Sequence, residues 1–498
     1  MADLFERLTD RARGFVDRIR KVDTDAALVA SMGAMCELSA VRHAVDPGHR
    51  WEPGQPLRLL FAGYSGTRNT GADVRVEEMI RQVRHLLGDE LADLSILTID
   101  PEGSRGYFRS VKQLHLPQIF PRFVHEVVRT QHGVIACEGS MFKSKFANAL
   151  STLMTGALGC AVAENKIAIG YGGEAGKMDG VLEALVKRSL KDALVICRNT
   201  ESQDVLGRLG VPTRLGTDTA WTFEPASPEA GRQMLLDAGW DGVQPVVALA
   251  PINAFWWPVK PDLGRGIAHA MTGAYDKAHY DSVYFHHSGE EVDRRQQAYI
   301  DAIAAGVRRY CRERNCFVVL VGMEQLDRSA CVALNHALGG GCPLFVSDEW
   351  DHREMVALLR ACDRLISSRY HALVCSMPGL VASAGITMDE RIPNLMRDRG
   401  TPDLAMHCDD PKLAAQVFQT LGWLDAHEAS VREGIGRCVV ANLERMGVMG
   451  QIFVDTLRAR HPELPVDPSL GEHGDPWDHL PPMSAALQAL VERHRRAA

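Results

Sequence analysis

What this 498-residue chain lacks narrows its possible work before any motif is considered. It has no excess of basic charge: 55 Lys+Arg stand against 63 Asp+Glu, a formal net charge of -8. A surface built mainly to neutralise nucleic-acid phosphate is thereby excluded, although a local basic groove is not. Its twelve cysteines are scattered singly, and the nearest pair, Cys311 and Cys316, lacks the spacing of a C-x-x-C redox or zinc pair. They read as reduced core thiols in a reducing compartment. No uncharged apolar run reaches the ~18 residues of a membrane span, and the opening Met-Ala-Asp-Leu-Phe-Glu-Arg brings acid early. Both features predict a soluble, cytoplasmic protein without a transmembrane segment. Internal repeats and low-complexity tracts are missing. So are GxGxxG and GxxxxGK[ST], which removes the standard dinucleotide and P-loop readings.

What is present is an ordinary globular composition, 46% hydrophobic and 24% charged, in a chain long enough for about two or three domains. The first fifty residues place Leu4, Phe5, Leu8, Phe15 and Ile19 at helical spacing and read as a helical extension, residues 1–55. From Pro56 onward, strand-length apolar runs at 57–62, 94–99, 133–137, 166–170 and 193–197 alternate with helical stretches such as 77–87. That repetition predicts a parallel sheet with crossover helices, because parallel strands need long connections. The alternation pauses in Glu224-Pro-Ala-Ser-Pro-Glu-Ala and resumes with runs at 246–250, 316–322, 344–346 and 364–367 and helices at 297–312 and 350–361. One α/β domain is predicted over 56–235 and another over 240–430. A helix at 431–458, a Pro-rich stretch and a helix at 485–496 form a tail, 431–498, expected to pack back on the body. Two such sheets usually leave a crevice at the carboxyl ends of their strands, where ligands bind.

Several strand-end loops carry the residues suited to chemistry. After the first strand, Gly63-Tyr64-Ser65-Gly66 runs through Asn69-Thr70-Gly71-Ala72-Asp73 into a helix. Glycines that admit backbone amides, and a helix start with its positive dipole end, make a plausible anion cradle unless the glycines only form the tight turn. Cys137-Glu138-Gly139-Ser140 reads as a turn opening a helix with Lys143 and Lys145 in its first turn, again suited to an anion or merely solvated. Ile169-Gly170-Tyr171-Gly172-Gly173-Glu174 reads as a third glycine loop. Arg198, at the end of a buried strand, has a fork that grips a carboxylate or phosphate, or makes an interdomain ion pair. The most informative segment is Ser367-Ser368-Arg369-Tyr370-His371-Ala372. Arg369 holds an anion permanently, while His371 exchanges a proton near neutral pH. After a predicted strand at 379–383, Asp389 is placed to orient a base or an acceptor hydroxyl and Arg391 adds charge; a surface ion pair explains both equally well. Trp256 and Trp257 suit stacking on a sugar ring or filling a domain interface. His286 and His287 lack the i,i+4 spacing of a helical zinc site, and no metal is assigned.

Taken in order, these loops resemble the polysaccharide pyruvyl transferase family over residues 57 to about 404. Gly63-Tyr64 with Asn69-Thr70-Gly71-Ala72-Asp73 is similar to the family's Gly-Asn-x-Gly-Asp turn, with Ala72 inserted. Arg198-Asn-Thr-Glu-Ser202 with Gly216-Thr-Asp218-Thr-Ala220 resembles its Arg-x-x-Ser and short Asp segments. Ser368-Arg369-Tyr370-His371-Ala372 is the most specific match, and Asp389-Glu390-Arg391-Ile392 corresponds to the segment that follows. Two departures stand out: Cys137-Glu138-Gly139-Ser140 replaces a glycine-rich turn, and an aromatic and His-rich insertion spans 254–289.

The resemblance implies an α/β, GT-B-like architecture: two Rossmann-type parallel-sheet domains facing across a cleft, with helical N- and C-terminal extensions. It places the acceptor on the side of the first domain and the donor on the side of the second. The implied enzyme is a transferase that moves a pyruvyl group from phosphoenolpyruvate to a saccharide or polysaccharide-precursor acceptor as a ketal, releasing phosphate without any further cofactor. Arg198 and Arg369, with Ser368 and Tyr370, then hold the donor. His371 is the general acid, and Asp389 assists catalysis. Asn69, Gly71, Asp73, Ser140 and Lys143 face the acceptor or an anion. The residues themselves agree on the ligand, since two arginines suit a small body bearing both a phosphate and a carboxylate. Two other readings share the crevice: a GT-B glycosyltransferase using a nucleotide-sugar donor, and a non-catalytic binding protein on the same scaffold. Oligomeric state is left open, a homo-oligomer included.

Overall fold

A computed structural model describes residues 24–262, 265–266 and 284–495. The predicted helical pattern from Leu4 to Ile19, and residues 263–264 and 267–283 of the aromatic insertion, lie outside the described residues.

The predicted strands form two separate all-parallel sheets. In the first, β1 (Leu57–Ala62), β2 (Ala92–Thr98), β3 (Lys112–His115), β4 (Gly133–Ala136), β5 (Ile167–Gly173), β6 (Leu194–Cys197) and β7 (Thr213–Leu215) run in the order β3-β2-β1-β4-β5-β6-β7. In the second, β8 (Val246–Ala250), β11 (Phe317–Gly322), β12 (Leu344–Val346), β13 (Arg364–Ser367), β14 (Ala382–Thr387) and β15 (Ala405–His407) run in the order β12-β11-β8-β13-β14-β15. A short antiparallel pair, β9 (Lys260–Pro261) and β10 (Tyr284–Phe285), sits apart. Central strands such as β1 and β8 are almost wholly apolar and buried along their length, as strands covered on both faces tend to be; β13 is equally buried but carries Arg364 and Ser367 at its two ends.

Strand order decides where the loops meet. In each sheet the order reverses at one point, between β1 and β4 in the first and between β8 and β13 in the second. Loops leaving adjacent strands at such a point wind to opposite faces and leave a crevice. The loops after β1, β4, β8 and β13 are those read above as chemistry-bearing, and they converge from two sheets. The architecture is GT-B-like, as the resemblance implied.

Several expectations are corrected. Ser140 does not open a helix: residues 138–147 form an irregular connection, and the helix begins at Asn148, running to Ala163. Gly170–Gly173 belong to β5 rather than to a loop, with a register shift between Tyr171 and Gly173. The strand predicted at 379–383 starts later, at Ala382, after a 3-10 turn at Met377–Gly379. The edge strands β3, β7 and β15 are three or four residues long and mix polar with apolar side chains, so no apolar run marks them.

The helix Thr24–Val45 is the one helix among the described residues long and apolar enough to cross a membrane. It contains Asp25 and Glu37 and packs on Asn148–Ala163, with Met32 over Gly156 and Cys36 over Gly159. The tail's main helix, Glu428–Arg460, starts against the second domain through Val431, Ile435, Val439 and Leu443. It ends in the core of the first, where Met449, Phe453 and Leu457 pack with Leu57, Leu59 and Phe61. This one helix therefore ties both halves together. Phe453 is fully buried there. Phe453→Ala is expected to cost about 3–5 kcal/mol, read as a lowered midpoint in urea unfolding, because a cavity opens where the neighbours cannot collapse.

Candidate functional site

β13 delivers the most informative segment into the crevice, and the turn that follows is held from three sides. Ser367 Oγ accepts the Arg369 N–H at 2.9 Å, the Ser368 N–H reaches Ala250 O at 2.9 Å, and Ser368 Oγ pairs with the Tyr299 hydroxyl at 2.7 Å. Arg369 and His371 consequently project from a fixed point. Arg369 meets Asp327 through Nε at 2.8 Å and Nη2 at 2.5 Å, and Glu324 through Nη2 at 2.8 Å. Burial and the neighbouring Glu324 push the Asp327 carboxyl up to about 6, although Arg369 acts against them.

His371 crosses to the end of the first domain, where its Nε2 lies 3.3 Å from Asp218 Oδ2. That carboxylate is the hub of a buried cluster. It also forms an ion pair with Arg75, whose Nε lies 3.0 Å away, and accepts Arg198 Nη1 at 3.2 Å and the Ala220 N–H at 3.0 Å. Arg75, with no exposed surface, continues to the carbonyls of Cys137 and Gly172 at 3.2 and 2.8 Å. Arg198 also pairs with Glu174, and its guanidinium lies 4.5 Å above the Tyr370 ring. Burial alone would raise Asp218, but Arg75, His371 and Arg198 hold it far below the usual carboxylate range. For His371 burial prevails: despite Asp218, desolvation together with Arg75 and Arg198 keeps the imidazole below its ordinary value. The site's own groups thus hold the histidine mostly neutral at pH 7.

Between the two domains these residues border a cavity of about 270 Å³. From the first domain it is lined by Tyr64, Asn69, Gly71 and Ser140; from the second by Trp256, Trp257, Ser368, Arg369, Tyr370, His371 and Arg391. The approach is close: a methyl group placed on Gly71 would lie 2.4 Å from His371 Nδ1. Asn69 caps the helix Thr70–Leu87 by accepting the Ala72 N–H at 3.2 Å, while the Thr70 N–H reaches across to Met323 O at 2.9 Å. Two amides read from sequence as part of an anion cradle are therefore already engaged, one of them in joining the domains.

Four residues singled out in the sequence stand behind the lining. Arg198 lies beneath Tyr370. Lys143 is buried between Glu174 (3.2 Å) and Glu390 (2.5 Å). Asp389 takes Arg391 Nε at 2.7 Å, and although burial would raise its carboxyl, Arg391 and Lys143 hold it low, so it acts by fixing the cavity-lining Arg391. Asp73 sits under the glycine loop and accepts the Gly66 N–H at 3.2 Å. Burial, with Glu324, Glu77 and Glu138 adding to it, pushes that carboxyl up to about 8. The folded state therefore keeps a proton on Asp73 that the unfolded chain releases above about pH 4, and stability falls as pH rises from there towards 8. Asp73→Asn retains an oxygen for Gly66 and is expected to flatten this slope. Its gain at pH 8 is on the order of a few kcal/mol, measurable by urea unfolding at pH 5 and pH 8.

Sequence reading missed Arg75, Glu174, Glu324 and Asp327 as members of this site. Glu324 and Asp327 had a usable signal, since they follow the strand end Gly322 just as Arg369 follows Ser367. Arg75 lies inside a helix and had none. One His/Cys/Asp cluster with metal-ligand spacing occurs among the described residues, His407, Cys408 and Asp409. Two of its three groups are engaged already: Asp409 holds Arg295 at 2.6 Å, and His407 Nδ1 accepts the Asp409 N–H at 3.2 Å.

The model of the polysaccharide pyruvyl transferase family matches residues 158–377. Over that stretch the resemblance read from the loops holds, and the match marks the chain as a transferase. The matched stretch contains Arg198, Asp218, Arg369 and His371; the glycine loop with Asn69 and Gly71 lies before it. Among solved structures, the UDP-GlcNAc 2-epimerase from Neisseria meningitidis is 9% identical, with 81% of this chain and 100% of that one covered at a TM-score of 0.46. The ADP-heptose LPS heptosyltransferase II of E. coli is 12% identical, with 75% and 99% covered at a TM-score of 0.38. The strand order, rather than these distant likenesses, carries the fold class.

Proposed function

We propose that the protein transfers a pyruvyl group from phosphoenolpyruvate to a saccharide acceptor, forming a ketal and releasing inorganic phosphate. One observation carries the reading: Arg369 and His371, two residues apart at the end of β13, line a single interdomain cavity together with Arg391. Permanent cations bind the donor's phosphate and carboxylate, and the acid stands beside them.

The chemistry follows from the neutral histidine. A bound dianion stabilises imidazolium, so the donor itself raises the pKa of His371 while Asp218 holds the ring in place. The imidazolium gives its proton to the donor's methylene carbon, which becomes a methyl group and leaves C2 electron-poor. One sugar hydroxyl adds to C2 and loses its proton. A second hydroxyl then forms the other C–O bond as the C–O bond to phosphate breaks, and its proton leaves with the phosphate. The two acceptor protons lost equal those gained by the methyl group and the phosphate. Tyr370, stacked on Arg198, sets the floor against which the donor rests.

The test is saccharide-dependent release of phosphate from phosphoenolpyruvate, with mass spectrometry of the acceptor. The expected product carries the pyruvyl ketal. Phosphate release without a modified sugar, or stabilisation by nucleoside diphosphates but not by phosphoenolpyruvate, would count against the proposal.

A further inference from the structure

Three carboxylates border the interdomain cavity: Glu138 from the first domain, Glu324 and Asp327 from the second. Their commitments differ. Both oxygens of Glu324 are taken, one by the Tyr64 hydroxyl at 3.1 Å and the other by Arg369 Nη2 at 2.8 Å. Both oxygens of Asp327 are taken as well, by Arg369 Nε at 2.8 Å and Nη2 at 2.5 Å. Glu138 is half-buried, and its Oε1 accepts only the N–H of the next residue, Gly139, at 2.7 Å. Its Oε2 is buried with no hydrogen-bond partner among the described residues. A carboxylate oxygen left without a donor inside a protein calls for an explanation, because each such oxygen ordinarily finds one. Nothing in the reaction above uses it.

The turn that carries Glu138 is tied to the proton donor. Glu138 lies just beyond β4, the neighbour of β1 at the point where the first sheet reverses its order. The Cys137 carbonyl accepts Arg75 Nη1 at 3.2 Å, and Gly139 is so close to Arg198 that a methyl group placed on it would lie 2.9 Å from Nη1. Both guanidiniums form ion pairs with Asp218, at 3.0 and 3.2 Å, and Asp218 Oδ2 lies 3.3 Å from His371 Nε2. The residues on either side of Glu138 therefore rest on the cluster that seats His371, and Glu138 borders the same cavity as that imidazole. Arg369 and Arg391, the cations suited to the donor, reach the cavity from the second domain, which leaves Glu138 on the opposite, acceptor side. A turn about the Cγ–Cδ bond exchanges its two oxygens at little cost, so either one faces a hydroxyl. The other imidazole of the lining, His286, packs instead on Trp256 and Trp257, with ring centroids 4.9 and 5.2 Å apart.

We propose that Glu138 is the general base that takes the proton from the sugar hydroxyl attacking C2. The assignment rests on the pyruvyl transfer reading, which left that proton without an acceptor. As the hydroxyl oxygen bonds to C2, its O–H bond breaks and the proton passes to Glu138; the bond from C2 to the phosphate oxygen stays intact in this step. His371 has by then given one proton to the methyl carbon. The enzyme thus holds one proton more on Glu138 and one fewer on His371, and exchange of that proton through water restores both.

Phosphate release from phosphoenolpyruvate is measured with and without the methyl glycosides of glucose, galactose and mannose, so that sugar hydroxyls and water are both offered to the base. Glu138→Gln keeps an oxygen for the Gly139 N–H but takes no proton; its kcat is expected to fall by about 10²–10⁴, with the melting temperature unchanged and the affinity for phosphoenolpyruvate not weakened. In Glu138→Ala added formate is expected to restore part of the rate, since a small carboxylate fits the space that the side chain vacates. Unchanged kcat in Glu138→Gln overturns the assignment. So does a loss in which donor affinity or melting temperature falls with the rate and formate rescues nothing, because Glu138 would then only hold the turn. A wild-type enzyme that releases no phosphate under any of these conditions refutes pyruvyl transfer itself, and the role of Glu138 falls with it.

Discussion

A His371→Gln enzyme is expected to lose about 10²–10⁴ in transfer rate, the range that a positioned general acid supplies, while its affinity for phosphoenolpyruvate stays within a few-fold. Glutamine keeps a hydrogen-bonding tip near Asp218 but carries no transferable proton at neutral pH. The pH profile makes this specific. The acid works only when protonated, so its contribution is lost as pH rises through its pKa. In the free enzyme burial, with Arg75 and Arg198, keeps that pKa below the ordinary imidazole value despite Asp218. The alkaline limb of kcat/KM should therefore fall below about pH 6.5. Once the dianion is bound the pKa rises, and the limb of kcat should lie at higher pH. His371→Gln is expected to remove both limbs. Wild-type turnover in the variant would assign the proton to another group.

Gly71→Ala is expected to lower kcat by about 10²-fold, the cost of misplacing a reacting group by roughly 1 Å. Alanine suits the helix at this position: it favours helix over glycine by about 1 kcal/mol, and the backbone is not in a left-handed conformation. The added carbon, however, would stand 2.4 Å from His371 Nδ1 and 2.5 Å from its Cβ and Cγ. Either the imidazole swings away from Asp218 or the two domains move apart at this contact. The melting temperature should stay within a few degrees of wild type. An active Gly71→Ala enzyme would mean that the start of the first domain's helix does not set the histidine's position.

The molecule shows which kinds of information a sequence displays. β8 and β12 begin and end where their apolar runs do, because buried strands of a parallel sheet are near-continuous apolar runs. The convergence of Asn69, Ser140, Ser368 and His371 was readable only as a set of strand-end loops; strand order, a non-local property, brings them to one place. The charge network was hidden for the same reason. Asp218 joins Arg75 from a helix, Arg198 from a strand end and His371 from the other domain, and no spacing in the chain announces such a junction. Lys143 was misplaced because a lysine after a Gly-Ser turn resembles a solvated helix start. Its ammonium is instead enclosed by Glu174 and Glu390.

The network also bears on how the cleft receives a dianion. Arg369 is already engaged: Asp327 and Glu324 occupy its fork. An incoming phosphate or carboxylate has to share that guanidinium, and the elevated pKa of Asp327 means that protonating it is one way to release the arginine.

Calorimetric titration of phosphoenolpyruvate into the wild-type protein and into Arg369→Ala tests the cleft most directly. The account requires saturable binding of one donor per chain in the wild type, with net proton uptake revealed by repeating the titration in buffers of different ionisation enthalpy, and a loss of at least tenfold in affinity in the variant. Absence of binding to the wild type, or equal affinity in the two proteins, would contradict it.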